Sequence, residues 1–291
     1  MSLPPEILKK VKLLEISTRK MVNNIFAGEY HSAFKGQGMT FSEFREYVPG
    51  DDVRAISWPV TARTGKAHIK KFDEEREMTL MLAVDVSGSS EFGTKEYFKG
   101  EVMTHLAALL SFSAQKNKDP VGLLLFSDQI EHYVPPKKSP GHIQRILRDL
   151  FYHQPKSRGT NISGAMEYLA GILKKRSNIF IFSDFLDTNF EKNLRMLGQR
   201  HDTVAVLVRD PAELKIPKVG LVDFEDAETG ELLTVDTSSV SFQRDYEAYK
   251  AKHDELSRQA LKRSQVDVID VNTAQDYVAP LIHYFKKKNR R

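Results

Sequence analysis

The feature that most constrains the fold is a buried-strand pattern that ends in one acid and two hydroxyl residues. It runs from Thr79 to Ser90, and an apolar run leads into Asp85, Ser87 and Ser89. An apolar run of this length, closed by a Gly/Ser turn, is typical of a strand that is buried on both faces. Asp85 would then lie at the carboxyl end of that strand, where open α/β sheets place their ligand sites.

The Asp-x-Ser-x-Ser spacing indicates a divalent metal ion. It places a carboxylate and two hydroxyls on one tight loop, and Mg²⁺ prefers such hard oxygen ligands in an octahedral shell. Three oxygens do not fill six positions, so further ligands must come from elsewhere. Thr160 opens an amphipathic segment that runs to about Lys175, at the position expected for a helix N-cap. Asp184 ends a second buried-strand pattern that begins at Asn178. If the two strands are parallel neighbours, Asp85 and Asp184 end at the same edge.

Each of these residues also has a purely structural explanation, as a turn residue or a helix cap. Their occurrence together, on the expected elements and in the expected order, favours a metal site. The full set resembles the metal-ion-dependent adhesion site of von Willebrand factor A domains: Asp85, Ser87, Ser89, Thr160 and Asp184. The resemblance implies that the serines and the threonine coordinate Mg²⁺, Mn²⁺ or Ca²⁺ directly or through water. It also implies that the aspartates act mostly through waters, and that an acidic residue of a partner protein completes the shell.

Composition excludes several functional classes. The 291-residue chain is long enough to bury a sizeable core, and it contains no cysteine, which excludes disulfides, thiolate metal sites and thiol catalysis. No pair of its nine histidines has zinc-type spacing, and no phosphate-binding P-loop motif is present. No apolar run approaches the length of a bilayer, and the N-terminus has no signal-peptide core, so we expect a cytoplasmic protein.

The order of elements after the first strand predicts an α/β fold. Helical and strand patterns alternate, and this alternation demands a mostly parallel central sheet with helices on both faces, as in von Willebrand factor A and Rossmann-like folds. We assign residues 79–291 to this domain, with a β-hairpin insertion at about 219–236. The first helix is expected from Lys95 to Gln115 with Phe98 facing inward. A long helix is expected from Val240 to Ser264, with this inward stripe: Phe242, Tyr246, Tyr249, Leu256 and Leu261.

Residues 1–78 form an N-terminal extension in this interpretation. An amphipathic helix is predicted from Pro4 to Phe26, followed by a segment, residues 39–72, that we call the platform. The platform interleaves the only tryptophan with other aromatic residues, arginines and acids. Charged groups among aromatic residues are usually paired, so we expect Arg45 and Arg54 to pair with acids and Trp58 to be packed.

The platform carries a second resemblance. The motif residues are Gly36-x-Gly38, Phe41, Arg45, Tyr47-x-Pro49-Gly50-Asp51-Asp52-x-Arg54-x-Ile56-x-Trp58, Ala62-Arg63 and Glu74-Glu75-Arg76. Placed just ahead of Asp-x-Ser-x-Ser, they are similar to the bacterial family called domain of unknown function 58, and the resemblance covers nearly the whole chain. Members of that family often stand beside MoxR-type AAA+ ATPases and other von Willebrand factor A proteins. Many carry transmembrane segments ahead of this region, so this chain resembles the short soluble branch.

These resemblances imply a metal-dependent protein-binding module. We expect an adaptor or substrate recruiter that works with a MoxR-type AAA+ ATPase in the assembly or maturation of other protein complexes. Membrane-anchored von Willebrand factor A proteins are further candidate partners, and no small-molecule substrate is expected. One alternative is a Mg²⁺-dependent phosphohydrolase, although Asp85 lacks a second acid two residues later. The weaker alternative is nucleic-acid binding through the basic tail, Lys286 to Arg291.

Overall fold

The computed structural model describes residues 30, 40–73, 78–93, 97–226 and 230–290. The predicted helix from Pro4 to Phe26 and the motif residues 36–38 and 74–76 lie outside the described residues. The chain divides into two compact units, one formed by residues 34–77 and the other by residues 1–33 together with 78–291. Tyr30 belongs to the larger unit, where its buried ring contacts the ring of Phe285 with 5.8 Å between centroids.

The smaller unit contains the platform. Strand β1 (Thr40–Glu46) pairs in antiparallel fashion with strand β2 (His68–Asp73). A 3-10 turn (Val53–Ala55) and a short helix, α1 (Trp58–Thr64), connect the two strands. Gly65 ends α1 with a φ of 73°, a left-handed conformation that glycine adopts without strain.

The side chains of the platform only partly follow the sequence-based expectation. Arg45 Nη2 donates to Asp51 Oδ1 at 2.8 Å, and Asp51 Oδ2 also accepts from the Val48 amide, which closes the turn between them. Within the described residues, no acid pairs with the guanidinium of Arg54. The expectation that Trp58 is packed is wrong, because its side chain is 68% exposed. It is the first residue of α1, a helix in which no residue is buried.

The strands of the larger unit are β3 (Thr79–Asp85), β4 (Val121–Phe126), β5 (Ile130–Lys137), β6 (Ser177–Ser183), β7 (Asp202–Arg209), β8 (Leu221–Glu225), β9 (Leu232–Asp236) and β10 (Asp267–Asn272). Six of them form a central sheet with the order β10-β7-β6-β3-β4-β5. All neighbours in the six-stranded sheet are parallel except β4 and β5. Strands β8 and β9 form a separate antiparallel hairpin within the predicted range 219–236.

Helices cover both faces of the six-stranded sheet. They are α2 (Lys99–Lys116), α3 (Pro140–Tyr152), α4 (Ile162–Ile172), α5 (Glu191–Arg200), α6 (Pro211–Leu214), α7 (Val240–Ser264) and α8 (Ala279–Lys288). On one face, Met81 and Ala83 of β3 join a buried cluster with apolar residues of α4, α5 and α7. On the other face, Phe180 of β6 contacts Phe285 of α8. The predicted fold class, a mostly parallel α/β sheet with helices on both faces, is confirmed.

Two helices differ from their predicted patterns. Helix α2 begins at Lys99 rather than Lys95, and Phe98, expected to face inward, is 52% exposed at the N-cap position. Helix α7 has the predicted bounds, but Tyr249 and Leu256 of the expected inward stripe are exposed.

The reason for the second difference is that α7 buries polar residues on the side that meets the rest of the unit. Gln243 donates to the carbonyl oxygen of Ile216, and Ser257 donates to that of Phe185. Such a polar face gives no apolar periodicity, so the sequence pattern found Phe242, Tyr246 and Leu261, which are at least partly buried, but it also included two residues that are exposed. Within the described residues, none of the helices is both long and apolar enough to span a bilayer.

Candidate metal centre

The two predicted aspartates meet at one edge of the central sheet. Asp85 is the last residue of β3, which pairs in parallel with β6 in a register that places Val84 beside Phe182. Asp184 directly follows β6, so both acids lie at the carboxyl edge, where parallel sheets place their ligand sites. Both side chains are nearly covered, since Asp85 is 2% exposed and Asp184 is 3% exposed.

Asp85 is held by hydrogen bonds on both of its oxygens. Its Oδ1 accepts from the Ser87 amide at 3.0 Å, and its Oδ2 accepts from the Ser183 hydroxyl at 2.7 Å. Burial raises the pKa of Asp85 to about 6, and the nearby charge of Asp184 adds to this effect. The hydrogen bonds from Ser87 and Ser183 work in the opposite direction but do not cancel it. The side chain of Asp85 is therefore held in place, and no neighbouring cation is among the groups that set its pKa.

The two serines connect the two acids. The Ser87 and Ser89 hydroxyl oxygens are 3.3 Å apart, and the Ser89 hydroxyl is near enough to Asp184 to lower the pKa of that carboxyl. In an octahedral Mg²⁺ shell with ligands at about 2.0–2.1 Å, neighbouring oxygens are about 2.9 Å apart. The separation of the two hydroxyls is close to that value. Four of the five predicted residues thus lie together at this edge.

Thr160, the fifth predicted residue, lies in a loop that reaches the same edge. It was expected at the helix N-cap, and this is wrong: Asn161 is the N-cap of α4, and its Oδ1 accepts from the Gly164 amide at 2.8 Å. The loop is bonded on either side of Thr160. The Arg158 carbonyl oxygen accepts from the Gly88 amide at 2.8 Å, and the Asn161 amide donates to the Ser127 carbonyl oxygen at 3.0 Å. The half-buried Thr160 is therefore held beside the turns that follow β3 and β4.

A buried acid on β5, Glu131, anchors this loop, and no sequence pattern indicated this role. Glu131 Oε1 accepts from the Ser127 hydroxyl at 2.7 Å and from the backbone amides of Lys156 and Ser157 at 3.1 and 3.2 Å. Although burial alone would raise its pKa, these bonds together hold the pKa of Glu131 at about 2. The carboxylate stays ionised and fixes the path of the loop toward Thr160.

Lys99 is the functional residue that sequence reasoning missed. Its fully buried ammonium lies 2.7 Å from Asp184 Oδ2 and 2.6 Å from Glu213 Oε1. Burial alone would lower the pKa of Lys99, but the two carboxylates outweigh it and raise the pKa. Burial likewise opposes the ionisation of Asp184, yet the charge of Lys99 holds the pKa of Asp184 below its usual value. No periodicity marks Lys99, because it lies at the first position of α2 beside the exposed Phe98.

The side chains at this edge fit a hard divalent cation. Three carboxylates lie there, those of Asp85, Asp184 and Glu213; Lys99 bonds to the last two, and their charges also act on the guanidinium of Arg209. Among the residues that the structure describes, no three His, Cys, Asp or Glu side chains are grouped to hold a metal, so a cation at this edge would need hydroxyl ligands. Carboxylate and hydroxyl oxygens suit Mg²⁺, Mn²⁺ or Ca²⁺. Lys99 already binds one oxygen of Asp184, which suits a role for Asp184 through water.

A mostly parallel sheet with acids and hydroxyls at its carboxyl edge is the architecture of a von Willebrand factor A-like protein. Solved structures with a similar fold include the conserved hypothetical protein BatB from Bacteroides thetaiotaomicron, with a TM-score of 0.50 and 14% identity over 74% of this chain and 100% of that chain. An aerotolerance-related membrane protein from Bacteroides fragilis, carrying multiple mutations to serines, also has a TM-score of 0.50, with 16% identity over 73% of this chain and 98% of that chain. At these identities the likeness shows the fold alone.

The chain belongs to the family described as "Protein of unknown function DUF58", whose model matches residues 43–256. This confirms the family resemblance found in the sequence. An uncharacterized protein of Mycobacterium tuberculosis, Rv1480, is 26% identical over 289 residues, which cover 98% of this chain and 91% of that protein. An uncharacterized protein of Mycobacterium avium, MAV169, is 25% identical over 160 residues, which cover 53% of this chain and 94% of that protein.

Proposed function

We propose that the protein is a divalent-metal-dependent protein-binding module. The observation that carries the proposal is the grouping of Asp85, Ser87, Ser89 and Asp184 at the carboxyl edge of β3 and β6. Strands β3 and β6 are buried along their lengths, which fixes the positions of the acids without any help from a metal. A rigid group of hard oxygens is the arrangement that a divalent cation requires.

Each residue has a distinct role in this proposal. The hydroxyls of Ser87, Ser89 and Thr160 would hold Mg²⁺, Mn²⁺ or Ca²⁺, while Asp85 and Asp184 act mostly through waters. The bound ion supplies a coordination position for a carboxylate of another protein, as the resemblance to the metal-ion-dependent adhesion site implies. Ser183 and Lys99 orient the two aspartates through the hydrogen bonds described above.

Family membership suggests the partner. Proteins of this family often stand beside MoxR-type AAA+ ATPases, so we propose that the chain recruits substrates to such an ATPase, or adapts it to them, in the cytoplasm during assembly or maturation of other complexes. Membrane-anchored von Willebrand factor A proteins are further candidates. The sequence contains no P-loop, so ATP hydrolysis in the complex would belong to the partner.

The test combines metal binding with partner binding. Calorimetry with Mn²⁺ should show one site on the purified chain, and a purified MoxR-type ATPase should bind the chain in Mg²⁺ and lose it in chelator. ATPase binding that persists at full strength in chelator would show that the interface does not depend on the metal. Metal-dependent hydrolysis of a phosphate ester by the purified chain alone would favour the phosphohydrolase instead.

A further inference from the structure

The two outer strands of the central sheet differ in how they are protected. Strand β5 contains Pro135 and Pro136, followed by Lys137, and its pairing with β4 is interrupted by two register shifts. Prolines, a lysine and irregular pairing are the usual means by which a sheet edge is kept from binding another strand. Strand β10 has none of these features. Its sequence is Asp-Val-Ile-Asp-Val-Asn, and its pairing with β7 runs through six residues without a shift.

A groove runs beside the unprotected strand. Its volume is about 670 Å³, and its walls are formed by β10 residues 267–270 and by Ala279, Pro280, His283 and Lys287 of α8. Val268 is 41% exposed there. A groove between an edge strand and a helix is a known setting for strand addition, in which an extended peptide pairs with the edge and places alternate side chains in the groove.

The charges around this groove indicate what kind of peptide would fit. Its acids are already engaged: Asp267 pairs with the lining residue Lys288, Asp270 pairs with Arg258, and Asp276 accepts from the backbone amides of Val278 and Ala279 at the start of α8. The exposed His283 and Lys287 lie one turn apart on the α8 wall, and no acid in the described part of the chain pairs with either. Among the lining residues that the structure describes, Lys287 therefore carries a charge that no ion pair or hydrogen bond engages.

We infer that the groove between β10 and α8 binds an acidic, extended segment of a partner protein, which adds to β10 as a seventh strand. The six residues of β10 span about 20 Å at about 3.3 Å per residue, so the bound segment contains about six residues. Backbone hydrogen bonds to β10 supply the alignment, and Lys287 supplies the preference for acids. None of the candidate metal ligands takes part, so this surface is separate from the proposed metal-dependent one.

The experiment uses the full chain in chelator, so that the metal centre cannot contribute. A displayed library of random dodecapeptides is selected against the immobilised protein, and enriched peptides are synthesised for binding measurements by fluorescence anisotropy. We expect enriched sequences to be acidic and rich in β-branched residues. Hydrogen exchange should show that the bound peptide protects backbone amides of β10.

Two matched comparisons separate strand addition from general attraction between charges. Lys287→Glu should weaken the selected peptides about tenfold or more, whereas Lys286→Glu, on the same helix but outside the groove, should leave the affinity within about twofold. The same peptide with N-methyl groups on alternate backbone nitrogens keeps its charges but cannot complete the ladder, and it should not bind.

Several outcomes would overturn the inference. These are a library without acidic enrichment, equal effects of the two lysine substitutions, and full binding of the N-methylated peptide. Two further results would reassign the groove. If a single-stranded oligonucleotide binds with the same dependence on Lys287, the groove binds nucleic acid. If light scattering shows a dimer that Lys287→Glu dissociates, the groove binds a second copy of this chain.

Discussion

The ammonium of Lys99 lies 2.7 Å from Asp184 Oδ2, and both side chains are almost completely removed from solvent. Replacing Lys99 with methionine keeps most of the volume but leaves Asp184 and Glu213 without their cation. Unpaired buried charges are costly, and we expect a loss of about 3–5 kcal/mol in the free energy of unfolding. Mg²⁺ should recover part of this loss in the variant. Thermal unfolding with and without Mg²⁺ checks the prediction, with the exposed Lys262→Met as control, and an unchanged midpoint for Lys99→Met would contradict it.

The double substitution Asp85→Ala with Ser87→Ala should abolish Mn²⁺ binding and leave the fold intact. These residues supply a carboxylate and a hydroxyl at the centre of the proposed site, and they follow a strand whose apolar residues are unchanged. Calorimetry measures the affinity and circular dichroism the fold. Asp245→Asn, which removes an exposed acid far along the chain, is the control. Equal Mn²⁺ affinity in the double variant and the parent protein would show that Mn²⁺ does not bind at this edge.

Thr160 and Asn161 are neighbours with separable roles. Thr160→Ala should lower Mn²⁺ affinity about 10-fold or more with little change in stability, because Thr160 does not cap α4. Binding of the partner ATPase should fall in parallel, and excess Mg²⁺ should partly restore it. Asn161→Ala removes the cap and should cost about 1 kcal/mol of stability. A large loss of stability in Thr160→Ala, without any effect on the metal, would show that the hydroxyl is structural.

Glu131 predicts a specific pH dependence of stability. Its pKa is about 2 in the folded protein and 4.5 as a reference for the unfolded chain. Between these values the unfolded chain takes up a proton that the folded protein does not, so lowering the pH favours unfolding. The stabilisation from Glu131 is complete above 4.5 and is lost as the pH falls through about 2. Urea unfolding should therefore show that the difference in free energy of unfolding between the parent protein and Glu131→Gln becomes smaller from pH 6 to pH 2.5. The exposed Glu167→Gln should show no such trend.

Trp58 provides a test of the exposed platform. Because its ring is 68% exposed, Trp58→Ala should change the free energy of unfolding by no more than about 0.5 kcal/mol. Phe180→Ala, which empties a fully buried position in β6, should cost about 3–5 kcal/mol. Chemical denaturation of both variants gives the comparison, and a large effect at Trp58 would mean that the ring is packed in solution.

The parts of this structure that sequence could predict are those with a periodic or local signal. Strands such as β3 and β6 are buried on both faces, so they appear as continuous apolar runs, and their terminal acids were found with them. The β8–β9 hairpin and the bounds of α7 could also be predicted from the sequence.

The parts that could not be predicted depend on pairings between distant residues. Lys99 reaches Asp184 across 85 residues and Glu213 across 114, and a single charged residue at a helix start carries no sign of such partners. The anchoring of the Thr160 loop by Glu131 is hidden for the same reason. The donors are backbone amides, which almost any residue supplies, so they leave no signal in the sequence. The polar face of α7 misled the prediction because apolar periodicity measures only apolar burial.

The long connections within the candidate metal centre also have a kinetic meaning. Ser183 lies 98 residues after Asp85, and their hydrogen bond exists only once β3 and β6 have paired. Closing so long a loop must be paid for in chain entropy before the contact forms, so this edge is absent from early, locally structured chains. A cation that binds here would therefore bind only chains in which the two central strands have already met, and would favour those chains by mass action. The time at which Mn²⁺ begins to bind during refolding should thus report when β3 has paired with β6.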